Sequence, residues 1–181
     1  MRGAIILIML LGAASATVAQ ANHKPTANLR VGPQTAAPCR GADLSVRLVN
    51  DDQAMGGQHL GDFAFRNNSA AACTLKGYPR FELLNKAGAL MPRGRAVNSK
   101  QLPGDETASE PAAITIQSGK EAVFRIHYNS GGAGYLGKPC PTSRKVRIAA
   151  PGTTRSFILK QEITSCGKVE ISAMRVSTGA D

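Results

Sequence analysis

Period-two alternation dominates this chain. Leu44, Val46 and Leu48 are separated by Ser45 and Arg47, Phe63 and Phe65 by Ala64, Phe81 and Leu83 by Glu82, and Ile114 and Ile116 by Thr115. The pattern returns at Phe124, Ile126 and Tyr128, at Val146 and Ile148, at Phe157 and Leu159, and at Val169 and Ile171. Successive side chains of a strand point to opposite faces, so one apolar residue in every two marks a half-buried strand. Turn-forming clusters separate the runs: Asn50-Asp51-Asp52, Gly56-Gly57, Asn67-Asn68-Ser69, Asn85-Lys86-Ala87-Gly88, Ser118-Gly119 and Pro151-Gly152. No window carries the repeat of a long amphipathic helix. About eight strands at regular spacing predict an all-β fold, an immunoglobulin-like antiparallel two-sheet β-sandwich.

The N-terminus follows a different rule. Arg2, the apolar run Ala4–Leu11 and the small residues after it are the three parts of a secretory signal. The run is too short for a bilayer, which needs about 20 residues. Cleavage after Ala21 fits, with Ala19 and Ala21 in the small-residue positions; Ala16 and Ala19 are competing sites. The first cysteine is Cys39, too far downstream for a lipid-modified N-terminus. Removing residues 1–21 from 181 leaves 160, and losing Arg2 takes the net charge from +10 to +9. The mature protein is expected to be exported, periplasmic or secreted, with no stable membrane insertion after cleavage.

Export sets the reading of Cys39, Cys73, Cys140 and Cys166. An even number of cysteines in an oxidising compartment predicts disulfides. Three pairings are possible. Cys39–Cys73 with Cys140–Cys166 is expected, because each closes a local loop of roughly 25–35 residues, worth about 3–4 kcal/mol. No C-x-x-C occurs, which disfavours a zinc ribbon or a thioredoxin-type site.

Residues 22–38, rich in Pro, Ala, Asn and Thr, are expected to form a flexible leader, residues 39–176 the sandwich and 177–181 a tail. Apolar residues at 43% against 19% charged exclude wholesale disorder. Residues 92–112 and 129–143 read as long polar loops, the natural carriers of specificity on a rigid sandwich.

Cys73-Thr-Leu-Lys-Gly77-Tyr78-Pro79, preceded by Phe65-Arg-Asn67, resembles the Cys-x-Leu-x-Gly-Tyr-Pro signature of a bacterial exported family, domain of unknown function 4232. Met55-Gly56-Gly57-Gln58 and Ile116-Gln-Ser-Gly119-Lys-Glu-Ala122-Val-Phe124 resemble two further segments of it, in the same order. Cys140 and Cys166-Gly167-x-Val169 fit its second cysteine pair. The likeness covers roughly residues 39–175. Tyr128 stands where members often carry Trp. The resemblance implies a β-sandwich and an exported role, and no activity. The turn Gly77, Tyr78, Pro79 also has a purely physical reading. Glycine permits a positive φ, proline sets the start of the next strand, and Tyr78 covers an edge of the core.

Candidate chemistry is sparse. Gly132-Ala133-Gly134-Tyr135-Leu136-Gly137 matches G-x-G-x-x-G, but Lys138-Pro139-Cys140-Pro141 follows where a dinucleotide site needs a helix N-terminus. No cofactor is expected. His23, His59 and His127 show no metal-ligand spacing, and no metal site is assigned; a His59–Asp62 pair is the only candidate. No G-x-S-x-G marks a nucleophile. Glu82 and Glu170 are placed on outward strand faces, and Asp105, Glu106 and Glu110 in a loop, so paired catalytic carboxylates are poor candidates. No catalytic residue is assigned.

The basic residues cluster at Arg93, Arg95 and Lys100 and at Lys138, Arg144, Lys145 and Arg147. Only Tyr135 lies near them for base stacking, and export removes nucleic acid from reach. These residues are the expected contacts for an anionic partner. The chain is thus expected to be a non-enzymatic domain that binds a protein or an anionic envelope polymer through its basic loops. An exported hydrolase or metal-binding protein with an unrecognised site is the alternative.

Overall fold

The computed structural model describes residues 36–53, 55–103, 110–131 and 139–177. Its strands are β1 (Leu44–Gln53), β2 (Gln58–Asn67), β3 (Cys73–Lys76), β4 (Arg80–Leu84), β5 (Leu90–Arg95), β6 (Val97–Asn98), β7 (Ala113–Ile116), β8 (Glu121–Asn129), β9 (Lys145–Ala149), β10 (Phe157–Leu159), β11 (Glu170–Ile171) and β12 (Arg175–Val176). All eight alternating runs form or overlap strands. The protein is an all-β sandwich, as the alternation predicts.

One sheet has the order β1-β2-β8-β11-β6, with β12 also paired to β8. The other has the order β10-β9-β4-β5, and β3 with β7 forms a separate two-stranded ladder. The two larger sheets are the expected pair. The small ladder is additional, and so is a parallel contact between β11 and β6, where Glu170 faces Val97.

The alternation explains how the sheets meet. Phe63 and Phe65 on β2 and Phe124 on β8 point inward from the first sheet, Phe81 on β4 and Phe157 on β10 from the second. Phe63 packs edge-on against Phe81 at 5.3 Å between centroids, Phe65 against Phe157 at 6.1 Å, and Phe124 against Phe81 at 6.4 Å. All 5 phenylalanines of the chain therefore join one inter-sheet cluster. Ile126, Val146, Ile148, Ile163 and Ile171 fill the space around them, each at most 1% exposed.

Both disulfides have the expected pairing, Cys39–Cys73 and Cys140–Cys166. The first is part of the core cluster, with Cys39 6% and Cys73 7% exposed. Gly77 then takes a left-handed φ of 108°, which turns the chain from β3 into Tyr78-Pro79 and β4. Tyr78 packs half-buried against the core, as the motif predicts.

Residues 92–112 are not one loop. β5 and β6 occupy their start. The partner of Glu82 is Arg95 and that of Leu84 is Leu90, so β5 bulges between them. Arg93 adopts φ 57° there, and a Cβ on Gly94 would lie 2.8 Å from the carbonyl oxygens of Leu83 and Met91. The bulge erases the alternation that would have revealed the strand. The signal peptide, the leader as far as residue 35, residues 104–109, the Gly132–Gly137 motif, Lys138 and the last four residues lie outside the described residues.

Candidate functional site

The outer face of the β10-β9-β4-β5 sheet collects positive charge. On β4, Phe81 and Leu83 point into the core, so Arg80 and Glu82 point out. Sheet pairing sets Glu82 between Arg147 of β9 and Arg95 of β5. Arg147 Nε donates to its carboxylate at 2.7 Å, and Arg95 Nε lies 3.3 Å from it. Glu82 is only 5% exposed. A carboxylate is buried at tolerable cost only when paired, and the two guanidiniums supply that pairing.

Lys145 lies two residues before Arg147 on β9, hence on the same face. It borders a shallow depression with Lys86, Arg144 and Lys160, whose acid is Glu162, bonded by Arg144. Together with Arg80 and Arg93, the face and its rim carry eight basic side chains (the remaining two are Arg95 and Arg147) against the two acids Glu82 and Glu162.

On the outer face of the six-stranded sheet three acids, Asp62, Glu121 and Glu170, stand among Arg47, Arg66, Arg125, Lys168 and Arg175. Arg47 pairs with Glu121 at 2.6 Å. Asp62, 1% exposed, accepts both Nε and Nη2 of Arg125, at 2.8 and 2.6 Å, and Arg175 at 3.3 Å. Glu170 binds Lys168 at 2.7 Å and lies 3.1 Å from His127 Nδ1, while His127 Nε2 meets Gln58 at 2.7 Å. The Lys168 ammonium holds the Glu170 carboxyl below the ordinary carboxylate range, and the Arg47 guanidinium does the same for Glu121.

Burial alone would push the Asp62 carboxyl up, but Arg125 and Arg175 outweigh it and hold it below its ordinary value. Its stabilising effect is therefore complete above the unfolded-state value of about 3.9 and is lost as pH falls through the lower folded-state value. Asp62→Asn keeps an acceptor oxygen and removes the charge. It is expected to cost about 1–2 kcal/mol at neutral pH by urea unfolding. The gap to the unsubstituted protein should close as the solution is taken below about pH 4. A gap equal at neutral and at strongly acid pH would show that Asp62 acts by shape alone.

Of the residues expected to meet an anionic partner, the structure brings Arg95 and Arg147 together at Glu82, Arg144 and Lys145 together at Glu162, and places Arg93 on the bulge of the same sheet. Lys100 lies elsewhere, bonded to Glu110 beside a cleft of about 230 Å³ that Tyr78, Ile114, Met174 and Val176 also line. Sequence clustering missed Arg80, Lys86 and Lys160, which only strand pairing brings to this face.

Glu82 and Glu170 do lie on outward faces, but Glu82 is covered by its arginines. His59 belongs to β2. It stacks on Tyr128 at 4.8 Å, and its Nε2 lies 2.6 Å from Ser130 Oγ. Burial and the Asp51 carboxylate raise the Tyr128 hydroxyl to about 12. His59 and Asp62, three apart on one strand, point to opposite faces. Among the described residues, no group of three His, Cys, Asp or Glu could hold a metal ion, and no helix is long and apolar enough to cross a membrane.

Fold and surface together define a disulfide-bonded β-sandwich of the kind that matures in an oxidising, extracytoplasmic compartment, with its acids paired on one sheet face and its basic excess larger on the other. The chain belongs to the family described as Domain of unknown function (DUF4232), whose model matches residues 39–180. No curated protein and no solved structure matches it.

Proposed function

We propose that the protein is exported to the cell envelope and acts there by binding an anionic partner through the outer face of its four-stranded sheet. The signal-like N-terminus and the two disulfides support export. The meeting of Arg93 and Arg95 with Arg144, Lys145 and Arg147 on one sheet face and its rim, with two acids among them, is the observation that carries the binding role. A patch of one sign attracts the opposite charge and raises its local concentration, in a manner that weakens with salt.

Arg147 is a poor residue for testing this, because reversing it would put a second carboxylate against buried Glu82. Lys145 and Lys160 are free of that complication. Lys145→Glu with Lys160→Glu is expected to weaken binding to anionic envelope fractions about tenfold or more at low salt. Lys76→Glu with Lys120→Glu makes the same change in net charge away from this sheet and should leave most of the binding intact. Equal losses in the two variants, or salt-insensitive binding, would count against the assignment of this face.

A further inference from the structure

We infer that the anionic partner is the headgroup surface of an anionic lipid bilayer, met by the basic face with Ile158 entering the apolar layer beneath; this rests on the binding role proposed above. Ile158 is 60% exposed, more than Leu90, Val97 or Val176, the other large exposed hydrophobics among the described residues. A single exposed apolar side chain is ordinary on a protein surface. Its position here is not. Ile158 is the β10 partner of Arg147, so it continues the cross-strand row of Arg147, Glu82 and Arg95 on the outer face. Lys160 lies two residues further along the chain and borders the depression with Lys145.

Neighbouring strands lie about 5 Å apart, and residues two apart on a strand about 7 Å. Ile158 is therefore within one side-chain length of several cations. The neighbouring run of the fold supports the same orientation: Leu90, 37% exposed, lies at the opposite edge of this sheet, paired with Leu84.

A soluble polyanion satisfies the cations and offers Ile158 nothing. An anionic bilayer satisfies both, because surface binding to membranes sums electrostatic attraction to headgroups and burial of apolar side chains just below them. The combination of a cationic sheet with its most exposed aliphatic residue in the same row fits a lipid surface better than a purely hydrophilic chain.

The test uses residues 22–181, which retain the whole compact unit Thr35–Asp181 and remove the apolar N-terminal run. Sedimentation with phosphatidylcholine vesicles, and with vesicles that also contain phosphatidylglycerol, is compared with binding to soluble polyphosphate. The expected result is binding to the anionic vesicles alone among the two lipids. Ile158→Ser should bind those vesicles about tenfold more weakly and polyphosphate unchanged. Ile158→Trp introduces an indole into a chain with no tryptophan, and its emission should shift to the blue on anionic vesicles. Binding to polyphosphate without binding to vesicles overturns the lipid inference and leaves the anionic-partner reading standing. Binding to neither overturns both. Vesicle binding that ignores Ile158→Ser, with no blue shift from Ile158→Trp, overturns the insertion of Ile158.

Discussion

Replacing Phe124 by alanine should lower the unfolding free energy by about 3–5 kcal/mol, the range for removing a buried phenylalanine. Its ring is fully buried and lies 5.5 Å from Phe63, 5.7 Å from Phe65 and 6.4 Å from Phe81, so it touches both sheets. Two losses combine in the variant. The apolar surface of the ring is no longer taken out of water, and the cavity left behind deprives three aromatic neighbours of contact. A domain of this size has about 5–15 kcal/mol to lose, so the variant should unfold at a much lower urea concentration. Phe124→Leu keeps much of the volume and should lose well under half as much. Equal losses for the two substitutions would show that edge-to-face ring geometry, rather than filled volume, holds the sheets together.

Removal of the Cys39–Cys73 bridge is expected to cost nearly as much. The bridge closes a separation of 34 residues, and constraining that loop in the unfolded chain is worth about 3–4 kcal/mol. The second bridge closes 26, so loop entropy hardly separates the two. Position does. Cys39 and Cys73 are part of the core, whereas Cys140 and Cys166 are half-buried at the other end of β8, where the Cys166 amide donates to Asn129. Cys39→Ala with Cys73→Ala therefore loses packing in addition to the constraint. Paired with Cys140→Ala and Cys166→Ala in urea titrations, it should be the less stable variant. The reverse order would mean that the backbone bonds from Cys39 to Thr74 and from Thr74 to Ala37 hold the start of the domain without help from the sulfurs.

Which strands could be read from the amino-acid order depended on how far each is specified by its own residues. β2 and β8 announce themselves, because Phe63 and Phe65 recur at period two around Ala64, and Phe124, Ile126 and Tyr128 alternate with Arg125 and His127 inside one segment. β6 and β12 have two residues each, too few to display any period, and exist through their partners on β11 and β8. β5 is masked by Pro92, Gly94 and its own bulge. β3 alternates Cys73 and Leu75 with Thr74 and Lys76, but its four residues are too few to stand out from the Cys73–Pro79 motif. The basic surface was legible only in part for the same reason. Arg144, Lys145 and Arg147 are neighbours in sequence, while Arg95, Lys86 and Lys160 join them through sheet pairing and packing between distant segments. The burial of Glu82 follows from that pairing and has no local signal.

Both outer faces carry more basic than acidic side chains, but the excess is larger on the four-stranded sheet, so positive charge is unevenly divided across the sandwich. In a field, such a body feels a torque before it feels a specific contact. On the proposed role, a negative surface would be met with the more basic side forward, and the rate of productive encounters should rise accordingly. The opposite side, with Asp62 closed off between Arg125 and Arg175, would then face outward, away from that surface. A copy held this way displays the same face every time, as a molecule with its charges evenly scattered could not.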